Sequence, residues 1–183
     1  MVGAIENSQL LGGWLLRLRK ADRLPQDLAS GFGIALNEKL GVKYTPVYWI
    51  AEQIVNGKNY KLAARRDKQV SGGVVVTNYV IVTIHIPAGS VGGKGAKLIS
   101  EESAVDFVLR DDIEKGVKKA LTEFTGSGNE PLIELGSQVV KGVNYHFICE
   151  SKRVVLNAEP YLTRVVINNF QDDWHIVEIE QLS

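Results

Sequence analysis

The chain has 183 residues, of which 45% are hydrophobic and 23% are charged, and this composition is typical of a soluble globular protein. Its 21 basic residues equal its 21 acidic residues, so no net charge would attract nucleic acid or an anionic membrane surface. A lone cysteine, Cys149, excludes an intrachain disulfide framework and the usual multi-cysteine zinc sites.

The first apolar segment is LLGGWLLRLRK, from Leu10 to Lys20. It follows Glu6 rather than a basic region, and it lacks a plausible cleavage site. It is also too short to cross a bilayer, which takes about 20 apolar residues in a helix. We therefore expect neither a signal peptide nor a membrane span. The expected location is the cytoplasm, or outside the cell if a leader has already been removed.

A helix and several strands are predicted next. Large apolar residues recur every four positions from Leu24 to Leu40, which lines one face of a helix. Residues Val47 to Ala64 and Val74 to Ile86 are rich in β-formers and predict strands. The glycine-rich segment from Pro87 to Gly95 predicts a long turn.

The same order of elements returns 85 residues later. A second helix is expected from Ser103 to about Phe124, and β-rich segments follow at Leu132 to Cys149 and at Tyr161 to Phe170. A tight turn, QDDW, then leads to a last strand. Six identities support the shift: Pro46 and Pro131, Gln53 and Gln138, Val55 and Val140, Gly57 and Gly142, Asn59 and Asn144, and Tyr60 and Tyr145. The chain is therefore interpreted as a tandem duplication.

Each copy predicts an α+β unit, since one helix is followed by consecutive antiparallel strands. We predict two domains, residues 1–98 and 99–183, each with one long helix packed on an antiparallel sheet of about four strands. Gly31 and Gly116 fall at the same place in the two helices. Because glycine costs a helix about 1 kcal/mol relative to alanine, we expect a strand to cross each helix closely there, the alternative being coincidence.

No polar residues form a recognisable catalytic or metal-binding pattern. Cys149 ends a strand and is interpreted as a small core hydrophobe. The glycine-rich GSVGGKGA lacks the spacing of a phosphate-binding loop, and Gly95 stands where Ser or Thr is required. Metal-ligand spacing is missing among the three histidines, His85, His146 and His175. We expect no enzyme, and accordingly no catalytic residue, metal or cofactor.

Two loops with related sequences interrupt the strands, QIVNG from Gln53 to Gly57 and QVVKG from Gln138 to Gly142. Glycine suits the positive φ angle of a tight hairpin turn. The β-branched residues beside it have two alternatives. They are either tucked into the sheet or held out in solvent, where their stiff side chains would suit insertion into a narrow cleft. Spacing alone leaves both alternatives open.

These loops resemble the Q-x-V-x-G first hairpin of the cystatins, a family of inhibitors of papain-like cysteine proteases. An Asn-Tyr pair follows each loop, and the resemblance covers most of both copies from about Leu11 onward. The resemblance implies that one long helix is wrapped by an antiparallel sheet. It implies these inhibitory residues in the two loops: Gln53, Ile54, Val55, Asn56, Gly57, Gln138, Val139, Val140, Lys141 and Gly142.

The resemblance also implies two further parts of an apolar wedge that fills a protease cleft without presenting a cleavable bond. Gly12 and Gly13 would form its N-terminal trunk, and Trp174 would be the contact from its second hairpin. Two features depart from the family pattern. Lys141 replaces a small residue in the first hairpin, and Asp172–Asp173 stand where a proline is expected before the tryptophan.

The function implied by the resemblance is reversible, competitive inhibition of papain-like cysteine proteases. The expected partner is such a protease, with no nucleic acid or membrane partner. A monomer is expected, and a dimer swapped through the first hairpin is the alternative. The alternative function is a tandem binding module, or a carboxypeptidase inhibitor of the latexin type, without activity on cysteine proteases.

Overall fold

The computed structural model describes residues 13–36, 41–103 and 107–182. The chain divides into two compact units, Met1–Ser103 (unit 1) and Ala104–Ser183 (unit 2). Most of the described residues lie in antiparallel strands, and each unit has one α-helix.

Unit 1 is a five-stranded antiparallel sheet with one α-helix. Its strands are neighbours in chain order, so each hairpin joins adjacent strands. A 3-10 turn, Ala21–Arg23, leads from the first strand to the helix. The elements are β1 Trp14–Lys20, α1 Gln26–Leu36, β2 Val42–Val55, β3 Gly57–Gln69, β4 Val75–Pro87 and β5 Lys97–Ser103.

Unit 2 has the same order, and its described residues before the helix, 107–110, form no strand. Its four strands are also antiparallel neighbours in chain order. The elements are α2 Asp111–Glu123, β6 Ser127–Val140, β7 Gly142–Arg153, β8 Tyr161–Phe170 and β9 Asp173–Gln181.

The helix of each unit covers one face of the unit's sheet. In α1 the four-residue spacing places Leu28, Phe32 and Leu36 on a buried face. They pack against strand residues that include Leu62 and Val82. The apolar pattern of the sequence therefore defines the core of unit 1, and dispersion and burial hold the helix to the sheet.

The core of unit 2 is built in the same way. Ile113 and Val117 lie one turn apart on the buried face of α2. They pack with Phe147, Cys149 and Val165 from the sheet, and Phe147 and Cys149 are fully buried. Cys149 is thus a small core residue, as interpreted from the sequence.

The predicted fold class, two domains that each have one long helix on about four strands, is wrong. Strands dominate the described residues, the described helical residues number 11 in α1 and 13 in α2, and the described sheet of unit 1 has five strands. The apolar spacing predicts a helix from Leu24, but α1 begins at Gln26. Leu24 is extended, because Pro25 disfavours helix in the residue before it.

The second helix also begins later than predicted. Ser103 is the last residue of β5, and Arg110 is still extended. Acidic residues then fill the first turn of α2, at Asp111, Asp112 and Glu114, where the helix dipole favours negative charge. These acidic residues mark the start of α2.

Strand β5 crosses the boundary expected between residues 98 and 99. It pairs with β4 from Lys97 to Ser103, with Leu98 opposite Ile84 and Ser103 opposite Val80. Unit 1 therefore continues to Ser103.

Both helix glycines lie where the sheet approaches the helix closely, as expected from the sequence. A Cβ atom added at Gly31 would lie 2.6 Å from Cδ1 of Ile86 in β4. One added at Gly116 would lie 2.6 Å from Nε1 of Trp174 in β9. Each glycine therefore makes room for a large side chain from the sheet.

Candidate functional site

Three segments of unit 1 meet at one end of its sheet. Trp14, the first residue of β1, is paired with Gln53 near the end of β2. Gly57, the first residue of β3, is paired with Pro87 at the end of β4. We call this end the unit 1 tip and define it as residues 13–14, 53–57 and 87–88. It joins the predicted trunk and first hairpin of the first copy.

The unit 1 tip exposes apolar side chains. Trp14 is 40% exposed, Ile54 is 45% exposed and Val55 is 40% exposed. The ammonium group of Lys61 lies 4.9 Å from the centre of the Trp14 ring, which restrains the indole by a cation–π contact. Of the two alternatives for the loop residues of the first copy, exposure in solvent is the one observed.

A row of polar side chains supports the turn of the unit 1 tip. Asn59 Nδ2 donates to Gln53 Oε1 at 2.9 Å, and Asn59 Oδ1 lies 2.9 Å from Nδ1 of His85. This row crosses β2, β3 and β4 just behind the turn. Gln53 and Asn59 therefore hold the hairpin base, while the residues between them form the tip.

Gly57 has a φ angle of 109°, and a Cβ atom there would lie 2.8 Å from the backbone nitrogen of Ala88. The glycine is needed both for the turn and for the close approach of the neighbouring segment. Of the two predicted trunk residues, the structure describes one. Gly13 is an exposed bend residue before β1, and Gly12 lies outside the described residues.

Unit 2 has a corresponding tip, which we define as residues 139–142 and 170–172. Val139 is 84% exposed, and Val140 is also exposed. Nζ of Lys141 lies 5.1 Å from the centre of the Phe170 ring. Asn168 Nδ2 donates to Asn144 Oδ1 at 2.7 Å, so a polar pair again stands behind the turn. Unit 2 therefore presents valines together with a cation.

Trp174 does not belong to the unit 2 tip, which corrects its predicted role as the second-hairpin contact. It is 8% exposed and stacks on Tyr145 at a centroid distance of 5.5 Å. Gln171 and Asp172 form the turn with positive φ angles, and the alternation of β9 then directs Trp174 toward Gly116 of α2. Its indole is a core group and is not available to a protease cleft.

Two tip residues were missed by the sequence analysis. Trp14 lies next to the glycines considered for the trunk, and its place at the start of an amphipathic segment was the available signal. The sequence predicts Phe170 only as the end of a strand. Both are exposed beside a hairpin turn, and such exposure depends on strand register rather than on residue type.

The remaining candidates are the Cys149 thiol, a metal site and a membrane-spanning helix. Burial raises the pKa of the Cys149 thiol to about 12, so the thiol stays protonated at neutral pH. Among residues 13–36, 41–103 and 107–182, no three His, Cys, Asp or Glu side chains are grouped so as to hold a metal ion. In the same part of the chain, no helix is long and apolar enough to cross a membrane.

No protein-family model matches the sequence, and no curated protein matches it at a significant level.

His146 is buried on β7, and we expect it to make the free energy of unfolding depend on pH. It is 5% exposed, and its Nδ1 lies 3.4 Å from Nη1 of Arg164. Burial, and secondarily the positive charge of Arg164, lower the pKa of His146 from 6.5 to about 4. The unfolded chain therefore binds a proton more readily than the folded chain between these two pH values.

We expect this contribution to be fully present above pH 6.5 and to be lost as the pH falls toward 4. At about 1.4 kcal/mol per pKa unit, the loss is roughly 2–3 kcal/mol in free energy of unfolding. Urea denaturation at pH 7 and pH 4 measures it. Because glutamine is not protonated, His146→Gln should lose less stability on acidification than the wild type. The exposed-site variant His175→Gln should keep the wild-type difference, and an unchanged difference in His146→Gln would contradict the assignment.

Proposed function

We propose that the protein is a reversible, competitive inhibitor of papain-like cysteine proteases and that the unit 1 tip enters the protease cleft. The observation that carries the proposal is the grouping of three exposed apolar side chains, Trp14, Ile54 and Val55, at one end of a sheet. The sequence resemblance of QIVNG to the Q-x-V-x-G hairpin supplies the class of target.

The unit 1 tip is preorganised for such a contact. Ile54 and Val55 are β-branched, so their χ1 angles are already restricted before binding. The hydrogen bond from Asn59 to Gln53 fixes the base of the turn, and the cation of Lys61 restrains Trp14. A surface that is ordered before binding loses less conformational entropy on docking.

The geometry of the turn is consistent with inhibition rather than cleavage. Val55 and Gly57 are paired across the hairpin, with Asn56 alone between them. Gly57 is in turn paired with Pro87 of the next strand. Cleavage would require this segment to be pulled out of the sheet and laid extended across the catalytic residues. The hydrogen bonds of the sheet oppose that change.

The unit 2 tip is expected to contribute less to inhibition. Val139 and Val140 are exposed, but Lys141 lies between them and the turn glycine. Burying a charged group in an apolar cleft costs free energy unless the partner supplies an opposite charge. Trp174, which the resemblance placed at this tip, is buried instead.

The test is a titration of papain with the full chain. We expect the wild type to inhibit competitively. In Val55→Asp the inhibition constant should rise about 100-fold, or roughly 2.7 kcal/mol in binding free energy, because a carboxylate would be buried without a partner. Val76→Asp is the matched control, since Val76 is a similarly exposed strand valine of unit 1 outside the tip. Val139→Asp measures the contribution of unit 2.

Full papain activity at micromolar protein would contradict the proposal. If Val55→Asp and the wild type inhibit equally, the unit 1 tip is not the part of the protein that enters the cleft. A metallocarboxypeptidase is assayed in parallel, and inhibition of that enzyme alone would favour the latexin-type alternative.

A further inference from the structure

Strand β6 forms an edge of the sheet of unit 2. It pairs with β7 on one side, and no described strand pairs with its other side. Its counterpart in unit 1, at a shift of 85 residues, is β2. β2 is paired on both sides, with β3 and with β1. The two repeated strands therefore differ in their neighbours, because β1 pairs with the outer edge of β2 and no described strand pairs with the outer edge of β6.

β6 shares the backbone irregularities of β2, in each case seen in the pairing with the following strand, β3 or β7. In β2 the register shifts between Pro46 and Tyr48 and again between Trp49 and Ala51. In β6 the shifts lie between residues 131 and 133 and between residues 134 and 136, which are the same positions at a shift of 85. A proline and bulges often protect a sheet edge from pairing.

The second irregularity does not prevent pairing in β2. Residues Tyr48 to Gln53 accept β1 across it, with Lys20 opposite Tyr48 and Trp14 opposite Gln53. The corresponding residues of β6 are Ile133 to Gln138. Since the two strands share these irregularities, this part of β6 has the backbone form that accepts an antiparallel strand.

The described residues that align with β1 at a shift of 85 pair with a strand other than β6. A shift of 85 places β1 on residues 99–105. Of these, residues 99–103 belong to β5 and are paired with β4 of unit 1. The duplication thus supplies two strands of the β2 type but only one described strand in the position of β1.

We propose that the outer edge of β6, from Ile133 to Gln138, binds an extended segment of another protein by adding it as an antiparallel strand. The segment that fits has alternating aliphatic and basic side chains, as β1 has in the sequence WLLRLRK. This kind of recognition takes its affinity from main-chain hydrogen bonds and its selectivity from the side chains.

The charges of β6 favour basic side chains in the bound segment. In unit 1, Arg19 of β1 is opposite Trp49, and the guanidinium of Arg17 lies 5.6 Å from the centre of the Trp49 ring. The residue of β6 at the position of Trp49 is Glu134. An arginine in the same register of an added strand therefore meets a carboxylate instead of an indole.

The Glu134 carboxylate can accept hydrogen bonds from an arginine of the bound segment. Its two oxygens accept from Arg110 at 3.3 and 3.4 Å, which are long hydrogen bonds to a half-exposed side chain. A carboxylate has about four acceptor positions, so a second cation can bind without displacing Arg110.

The probe is a synthetic peptide with the sequence WLLRLRK, added to the full chain. Amide hydrogen exchange is measured with and without saturating peptide. We expect exchange to slow about tenfold or more in those residues from Ile133 to Gln138 whose N–H groups point away from β7. Peptides N-methylated on alternate residues locate the paired edge, because one set should bind and the other should not.

Substitutions in the chain test the charge. Glu134→Lys should weaken peptide binding at least about tenfold, and Glu123→Lys, at the exposed end of α2, should leave it unchanged. Glu134→Gln repeats the test with a smaller change if the lysine variant does not fold, as judged by circular dichroism.

Three outcomes would overturn the proposal. They are no peptide binding, protection confined to Tyr48 to Gln53, which would mean that the peptide replaces β1, and protection of β6 by dimerisation of the chain without peptide. No protease is present in the experiment, so its result is independent of the inhibition assay.

Discussion

Gly116→Ala is expected to lower the free energy of unfolding of unit 2 by about 3 kcal/mol, because the added methyl group overlaps the buried indole of Trp174. In an unobstructed helix the same change would raise stability by up to about 1 kcal/mol. The expected sign is therefore opposite to the helix propensity. Urea denaturation followed by far-UV circular dichroism measures the change.

A double-mutant cycle separates this contact from other effects of the substitution. Trp174→Ala alone should cost about 3–5 kcal/mol by leaving a cavity. In that background Gly116→Ala should become neutral or stabilising, since the overlapping group is gone. Gly128→Ala is the control, because a Cβ atom there meets nothing within 4 Å. Equal destabilisation by Gly116→Ala with and without the indole would show that the contact is not the cause.

The second large effect is expected at the hairpin glycine of unit 2. Gly142 has a φ angle of 88°, and a Cβ atom there would overlap the carbonyl oxygen of Asn169 and lie 3.1 Å from Cα of Phe170. Gly142→Ala adds backbone strain and this overlap, and it should cost about 3 kcal/mol or more. Chemical denaturation measures the cost, and amide exchange in β7 and β8 shows where the sheet has loosened.

Gly72→Ala separates the two contributions. Gly72 has a φ angle of 84°, close to that of Gly142, but a Cβ atom there meets nothing within 4 Å. Its substitution should therefore show the conformational cost alone, about 1 kcal/mol. If both variants lose the same stability, the neighbouring strand does not limit the residue at position 142.

The sequence predicts the strands well where turn residues bound them. The glycine of each Q-x-V-x-G loop marks the β2–β3 and β6–β7 turns, and Val74 to Ile86 nearly matches β4. Helix length was overestimated because apolar residues at a four-residue spacing also occur in extended segments. Leu24 continues the period of α1 but precedes a proline and is not helical.

The tip of unit 1 could be predicted only in part. Its hairpin residues follow from the repeated motif, whereas Trp14 joins them through the register of β1 on β2, a long-range feature that local sequence does not encode. Trp174 shows the opposite error. The family resemblance implied an exposed contact at Trp174, but the alternation of side chains along β9 places its indole in the core.

The use of β5 by unit 1 has a consequence for synthesis on the ribosome. β5 carries Glu101, which accepts a hydrogen bond from the Tyr44 hydroxyl at 2.7 Å and pairs with Arg66, while the strand covers β4. A nascent chain that has emerged only to residue 98 would lack the β5 residues that pair with Val80 to Thr83, and it would lack the Glu101 carboxylate. Unit 1 can therefore complete its sheet only when the segment that leads into α2 is leaving the exit tunnel. Folding of unit 1 thus finishes as the first residues of unit 2 emerge.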